Sequence, residues 1–525
     1  MEQNHLPVEA IPASASLGVP KNRSFPPSIP PQPLTAKKED GLLALLAFPC
    51  GYLYIRFVLG FTGGVGITLF TLVYCIVVLT WFRAGGHPIP AKSWPWLGLT
   101  LLTSLHFSLL SSGFVTFLTF FFLTGCAVWW IAVLGGVETG FGWDGLAERL
   151  FQLPFRNFGC QWQVLRQSSK KNSQNRSLLL ALITALLMIP LLLYVAEQLA
   201  AADDTFRLLM EKLALLDASW FVWLMIRLVL TLPVSAYLFG LWYGSFHHRG
   251  LRTLTAEEKA AREARRRFIP AAVAVTSLGM LTALYLVFFG AQAAGLVSAI
   301  VHGQPQAGSW SDYARQGFFE LCQVSTLNLA ALLAARQLTR DQNSGVIRFL
   351  CRVLPVQTLL LIATALCKMV LYIRAYGLTQ LRIYTSWFMI LLAVVFLLEL
   401  LSLSGNFPWQ RWLAGFFCGW FLLLSFCNVD GIIARYNVEL YLSGDGDSLT
   451  LTPLLNTPAA ASSLLDARDR LSPDDSRREV VEDALLRLRY HLEVGLGPSS
   501  PPHWYGQNLQ SLMALHLLQE KGPPL

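Results

Sequence analysis

The 525-residue chain is 54% hydrophobic and 14% charged, with a mean hydropathy of +0.48. A water-soluble chain carries about 25% charged residues, so a soluble fold of this length is excluded. The net charge of +8 does not point to nucleic acid, because most Lys and Arg lie between long apolar runs, where they set membrane orientation.

Residues 1–36 contain eight prolines and no apolar periodicity. They lack the apolar core of a signal peptide and read as part of a disordered tail, 1–40. A helical span needs roughly 20 apolar residues. Eleven stretches qualify: 41–58, 62–82, 94–111, 113–134, 177–199, 218–246, 268–290, 313–335, 350–373, 383–403 and 410–428. The first is the weakest, interrupted by Pro49, Cys50 and Gly51. The expected organisation is four helices over 41–135, a basic cytoplasmic loop over 136–176, a seven-helix bundle over 177–428 and an extracytoplasmic helical region over 429–525.

Positive charge fixes the expected orientation. Arg149, Arg156, Arg166, Lys170, Lys171 and Arg176 fill one loop, and Arg249, Arg252, Lys259, Arg262, Arg265, Arg266 and Arg267 another. The alternate loops hold only Arg207, Lys212, Arg374 and Arg382. The N-terminus is therefore placed in the cytoplasm and the C-terminus outside. The fold class is an all-α, polytopic bundle of about 11 spans, in a cytoplasmic (inner) membrane.

Shorter pieces are also legible. Asp203 and Asp204 cap a helix whose Phe206, Leu209, Met210, Leu213 and Leu216 share a face. Thr255-Ala256-Glu257-Glu258 fits a capping box, and the helix it opens ends in Arg262, Arg265, Arg266 and Arg267. These are read first as a topology signal, with anionic lipid headgroups as the partner they would suit. From 429 to 525 there are thirteen acids and eight bases. Ser472-Pro473-Asp474 reads as a helix start, Val481, Leu485, Leu488 and Leu492 as its inner face, and 507–520 as a second helix.

Catalytic signatures are absent: no GxSxG, HExxH, Walker or dinucleotide-binding glycine motif occurs. His247-His248 has no third metal ligand nearby, Asp445-Gly446-Asp447 reads as a turn, and the nine cysteines contain no CxxC. No cofactor, metal or nucleic acid is expected. The informative residues are charges inside spans, which are costly in lipid and face a polar interior. Arg227, Glu320 and Lys368 fall in the outer half, with Arg56, Arg315, Arg374, Arg382, Asp430 and Arg435 at the same rim; Glu399 is the exception. Two readings stay open: mutual neutralisation that locks helices together, or a cationic cavity for an anionic ligand. The outer ends of spans six, eight, nine and eleven are expected to share that cavity.

Several stretches resemble signatures of an uncharacterised bacterial multi-pass membrane family, known only as a domain of unknown function. They are Tyr313-Ala314-Arg315-Gln316-Gly317-Phe318-Phe319-Glu320, Tyr376-Gly377-Leu378-Thr379-Gln380-Leu381-Arg382-Ile383-Tyr384 and Asn428-Val429-Asp430-Gly431-Ile432-Ile433-Ala434-Arg435-Tyr436-Asn437. Weaker likenesses lie at 202–206 and 504–509. The resemblance covers roughly 175–525 and departs at 445–465, where Leu449-Thr450-Leu451-Thr452-Pro453 replaces an acidic helix. It implies an integral membrane protein, no known reaction, and a place for Asn437 in the charged layer. The leading expectation is a non-enzymatic protein that binds or moves an anionic or amphipathic ligand, or reports envelope state; the alternative is a transferase acting on a lipid-linked substrate.

Overall fold

A computed structural model describes residues 37–59, 64–136, 148–170, 198–212, 218–249, 264–302, 318–340, 344–403, 407–444, 454–495 and 504–523, with a few single positions between them. The described residues are helical, with one isolated backbone bridge, Ile269 to Thr339, and no strand. The tail over 1–36, the capping box at 255–258, most of the fifth stretch, Arg262, Arg315 and the 445–450 turn lie outside them.

The N-terminal helices are α1 (Lys38–Phe57), α2 (Val65–Ala84), α3 (Trp94–Leu109) and α4 (Gly113–Leu134). After them come a π-helical turn at Glu148–Gln152, then α5 (Leu153–Arg156), α6 (Cys160–Lys170), α7 (Asp204–Lys212) and α8 (Ala218–Phe246). Next are α9 (Ala271–His302), α10 (Phe318–Leu338), α11 (Gly345–Tyr376) and α12 (Gln380–Ser402). The chain ends with α13 (Trp409–Phe426), α14 (Val429–Leu442), α15 (Ala461–Arg470), α16 (Ser476–Gly495) and α17 (Leu509–Lys521).

Eight of the described helices are long and apolar enough to cross a membrane, or nine if α13 and α14, bent by 55°, form one broken span. A helix satisfies its backbone polar groups internally, as hydrocarbon requires. The outer faces match: Met280 and Val287 on α9 are each 70% exposed, a state that lipid tolerates and water penalises. The expected third span is shorter than its sequence window: α3 has 16 residues, because Pro95 sets its first turn and the chain leaves it at Leu110.

Of the supposed interruption of α1, Cys50 and Gly51 are buried and belong to its contact face, while Pro49 is exposed. The helix runs through Pro49 unbroken, and Ala44 and Ala47 are fully buried. A side chain at Gly51 would come within 3.0 Å of the Ser235 backbone nitrogen and 3.1 Å of the Thr231 carbonyl. Small residues let α1 and α8 approach closely, the usual basis of helix association in lipid.

Residues 136–176 are not simply a loop. The 148–170 part is helical and packs into the bundle. The Tyr237 hydroxyl donates to the Leu150 carbonyl (2.6 Å), and the Asn157 amide donates to the Leu153 (3.0 Å) and Arg249 (2.9 Å) carbonyls. Gln161 donates to the Ala44 carbonyl (2.9 Å) and accepts from Ser235 (3.3 Å). On this same face, Asp40 in the first turn of α1 meets the His247 ring at 3.3 Å.

The C-terminal helices gather on the opposite face. Their shared core includes Val438, Leu464, Val481, Leu485, Leu488 and Leu518, reaching Val115 and Leu424 of the bundle. The expected apolar face of 481–492 is thus buried. The helix itself starts later than Ser472: Asp475 accepts the Arg477 backbone N–H (2.9 Å), so the acid that caps α16 is Asp475. Helices α14 and α15 were not legible beforehand. Hydrogen bonds tie this unit to the bundle: Val65 N–H donates to the Gln507 carbonyl (3.1 Å), Ser111 N–H to the Gln510 side chain (2.8 Å), and Gln510 to the Asn428 side chain (2.9 Å). At α7, Asp203 accepts the Thr205 N–H (3.1 Å), as its capping pattern predicts.

Candidate functional site

The charged residues singled out above separate into three places. Asp430 is buried at the start of α14. It accepts from the Gln380 amide (2.6 Å) and from Ser112, and Ser112 also meets the Tyr384 hydroxyl (3.3 Å). Among the described residues its partners are neutral donors, not arginines. Asn437, about two turns further along α14, pairs with the backbone of Leu378 in both senses, accepting its N–H (2.7 Å) and donating to its carbonyl (2.9 Å). Arg382 closes the same turn. It donates to the Tyr376 carbonyl (2.9 Å) and to that of Gly377, and its guanidinium lies 4.1 Å from the Tyr372 ring centroid, a cation–π distance.

Gly377 is the hinge of this joint. Its φ of +75° is the left-handed region that favours glycine, and an added side chain would come within 2.8 Å of the Asn437 side-chain oxygen. Replacing Asn437 by alanine is expected to cost about 1–3 kcal/mol, because it strands a backbone N–H and carbonyl. Gly377→Ala should destabilise by a similar amount, measured by thermal unfolding in detergent.

Glu320 and Lys368 form the second place. Glu320 is exposed near the start of α10, Lys368 is half-buried on α11, and the two lie within electrostatic reach. Arg227 is half-buried on α8, while Arg374 and Arg435 are exposed. The third place is Glu399, buried on α12, which pairs with Arg336 of α10; Arg336 also donates to Ser402 (3.1 Å).

Two buried polar networks were not foreseen. His106, fully buried on α3, lies 2.8 Å from the Ser425 carbonyl through Nδ1 and 3.2 Å from the Thr116 hydroxyl through Nε2. A carbonyl only accepts, so Nδ1 carries the proton and Nε2 of the neutral ring accepts from Thr116. Between α9, α10 and α11, the Tyr285 hydroxyl donates to Asn328 (2.5 Å) and the Asn328 amide to Thr358 (3.0 Å). The available signal was a polar residue within an apolar run with Ser or Thr nearby.

A cavity of about 480 Å³ opens between α1, α2, α4, α8 and the 155–158 stretch, within the roughly 300–1,000 Å³ range of ligand pockets. Ile67, Phe70, Phe120, Leu123, Val128 and Leu238 are among its walls. Its α8 wall spans residues 233–241, which at roughly 1.5 Å per residue is about 12 Å of helix. Three of its hydroxyls are spent inside the protein: Thr71 on the Ile67 carbonyl (2.8 Å), Thr124 on the Phe120 carbonyl (2.9 Å) and Tyr237 on Leu150. The lining thus offers hydrocarbon contact and little hydrogen bonding. At the α1–α2 end, Phe57 packs on Tyr505 (5.2 Å between ring centroids) and Arg56 lies 5.1 Å from the same ring.

Apolar, lipid-length helices with exposed apolar faces define a multi-pass integral membrane protein. The family model described as a domain of unknown function, DUF4153, matches residues 97–466, well over half of the 525 residues, and the chain belongs to that family. The match begins inside α3, earlier than the 175 expected from the resemblance, and stops before α16. No curated protein and no solved structure matches the chain.

Proposed function

We propose that this protein holds the hydrocarbon chain of an amphipathic ligand between α1, α2, α4 and α8. The observation that carries the reading is the cavity itself: largely apolar walls, the Thr71, Thr124 and Tyr237 hydroxyls already bonded within the protein, and a place among helices that face lipid. A polar metabolite would leave its own groups unpaired there, at a cost of roughly 1–3 kcal/mol each, whereas each buried methylene gains about 0.8 kcal/mol. Full-length protein in detergent should bind a radiolabelled single-chain lysophospholipid saturably, and Leu238→Trp, which fills the cavity, should abolish the saturable component. Equal binding by the filled variant would remove this reading.

The proposal includes orientation. The face bearing Asp40, His247 and the 148–170 segment is taken as cytoplasmic because the basic loops leave from it; the C-terminal helices then lie outside, with eleven crossings if the 177–199 stretch spans. In a bacterial inner membrane, reporter fusions at 266 should read as cytoplasmic and at 470 as extracytoplasmic. Opposite readings at both would reverse the orientation, and a cytoplasmic reading at 470 alone would make the number of crossings even. The charged joint around Asp430, Asn437 and Arg382 supports a locking role, because its partners are backbone and neutral side chains.

A further inference from the structure

The wall of the cavity nearest the basic face is unlike the others. Phe155 and Phe158 line the cavity, yet they are 62% and 37% exposed, and their rings stack at 6.3 Å. The cavity is therefore bounded there by side chains that also meet the surroundings of the protein. The same segment exposes Phe151 (59%) and Trp162 (57%). Four large aromatic groups turned outward within twelve residues fit the membrane interface, where ring systems sit at headgroup depth. Cations accompany them: Arg156 follows Phe155 directly, and Arg166 lies one helical turn beyond Trp162, both exposed. Arg156 also donates to Gln152 (2.9 Å), which holds its guanidinium over this segment. In the next basic stretch, Arg265, Arg266 and Arg267 are exposed as well.

We infer that the ligand is an anionic phospholipid of the adjoining leaflet, whose acyl chain enters sideways past Phe155 and Phe158 while Arg156 and Arg166 hold its phosphate. This rests on the cavity reading above and adds the entry side and the headgroup charge. The aromatic pair supplies an apolar threshold, so the chain never crosses water. Arg156 adjoins Phe155 in the chain and Arg166 lies further along the same exposed segment, so that in this reading a phosphate remains hydrated and is matched in charge. A neutral zwitterionic lipid would offer the same chain without the net attraction.

The test uses the full-length protein in phosphatidylcholine nanodiscs doped with a lipid carrying a photoactivatable acyl chain, either phosphatidylglycerol or phosphatidylcholine. The expected result is labelling of peptides containing residues 120–128 and 233–241, about thirtyfold stronger for phosphatidylglycerol, which is the effect of two near-surface arginine contacts. The Arg156→Gln and Arg166→Gln double variant should label those peptides equally with both lipids, and the corresponding lysine substitutions should restore most of the preference. Equal labelling by both lipids in the native protein would overturn the headgroup assignment and leave the chain site standing. A preference that survives the double glutamine variant would overturn the role of these arginines. No labelling of either peptide would overturn the chain site and this inference together.

Discussion

Replacing Glu399 by alanine should destabilise the protein by about 2–3 kcal/mol, below the roughly 3–5 kcal/mol of a fully enclosed pair, because one partner is partly exposed. Glu399 is 1% exposed while the Arg336 side chain is 31% exposed, so removing the acid strands a half-buried guanidinium among α10, α11 and α12. The loss should be mostly reversed in an Arg336→Met, Glu399→Leu double variant, since apolar residues of similar size often replace a buried pair without cost. Equilibrium unfolding in mixed micelles would measure both. A single variant as stable as the native protein would show that this pair does not join the helices.

Gly240→Val should have the second large effect, through shape rather than charge. A side chain there would lie 2.6 Å from the Pro154 carbonyl oxygen and 3.3 Å from its Cα, and neither backbone atom can swing aside. Overpacking of this kind costs about 1–3 kcal/mol. The strain falls on the 148–158 segment, whose hydrogen bond from Tyr237 to Leu150 would be pulled apart. The expected result is a lowered unfolding midpoint together with faster proteolysis at 148–158. Because Phe155 and Phe158 form one wall of the cavity, lipid binding should fall in the same variant, whereas Gly125→Val, where nothing lies within 4 Å, should leave binding and stability unchanged.

The spans were legible because hydrocarbon imposes length and apolarity on each helix separately, and each of those properties is local in sequence. What pairs with what is not local. Gly51 looked like part of an interruption because a run of apolar residues was being sought, but a small residue is what a close helix contact requires. Glu399 stood out as a charge without a visible partner, since Arg336 was counted with a loop until α10 proved to reach Leu338. The 148–170 segment was masked by its own arginines: Phe151, Phe155, Phe158 and Trp162 alternate with Arg149, Arg156 and Arg166, so charge suggested a loop while the aromatic groups belonged to the interface. His106 and Asn328 carry no charge signal and were passed over. The cavity was out of reach of any local pattern, because its walls come from five separate stretches of chain.

The central claim is that the cavity between α1, α2, α4 and α8 holds a lipid chain in the membrane. Native mass spectrometry of the protein released from mild detergent tests it most directly. The expected spectrum shows one phospholipid retained per native chain after the micelle is stripped away, and a Leu238→Trp variant of unchanged unfolding midpoint that carries none. Equal retention by the two proteins, or a native chain stripped bare under the same conditions, would contradict it.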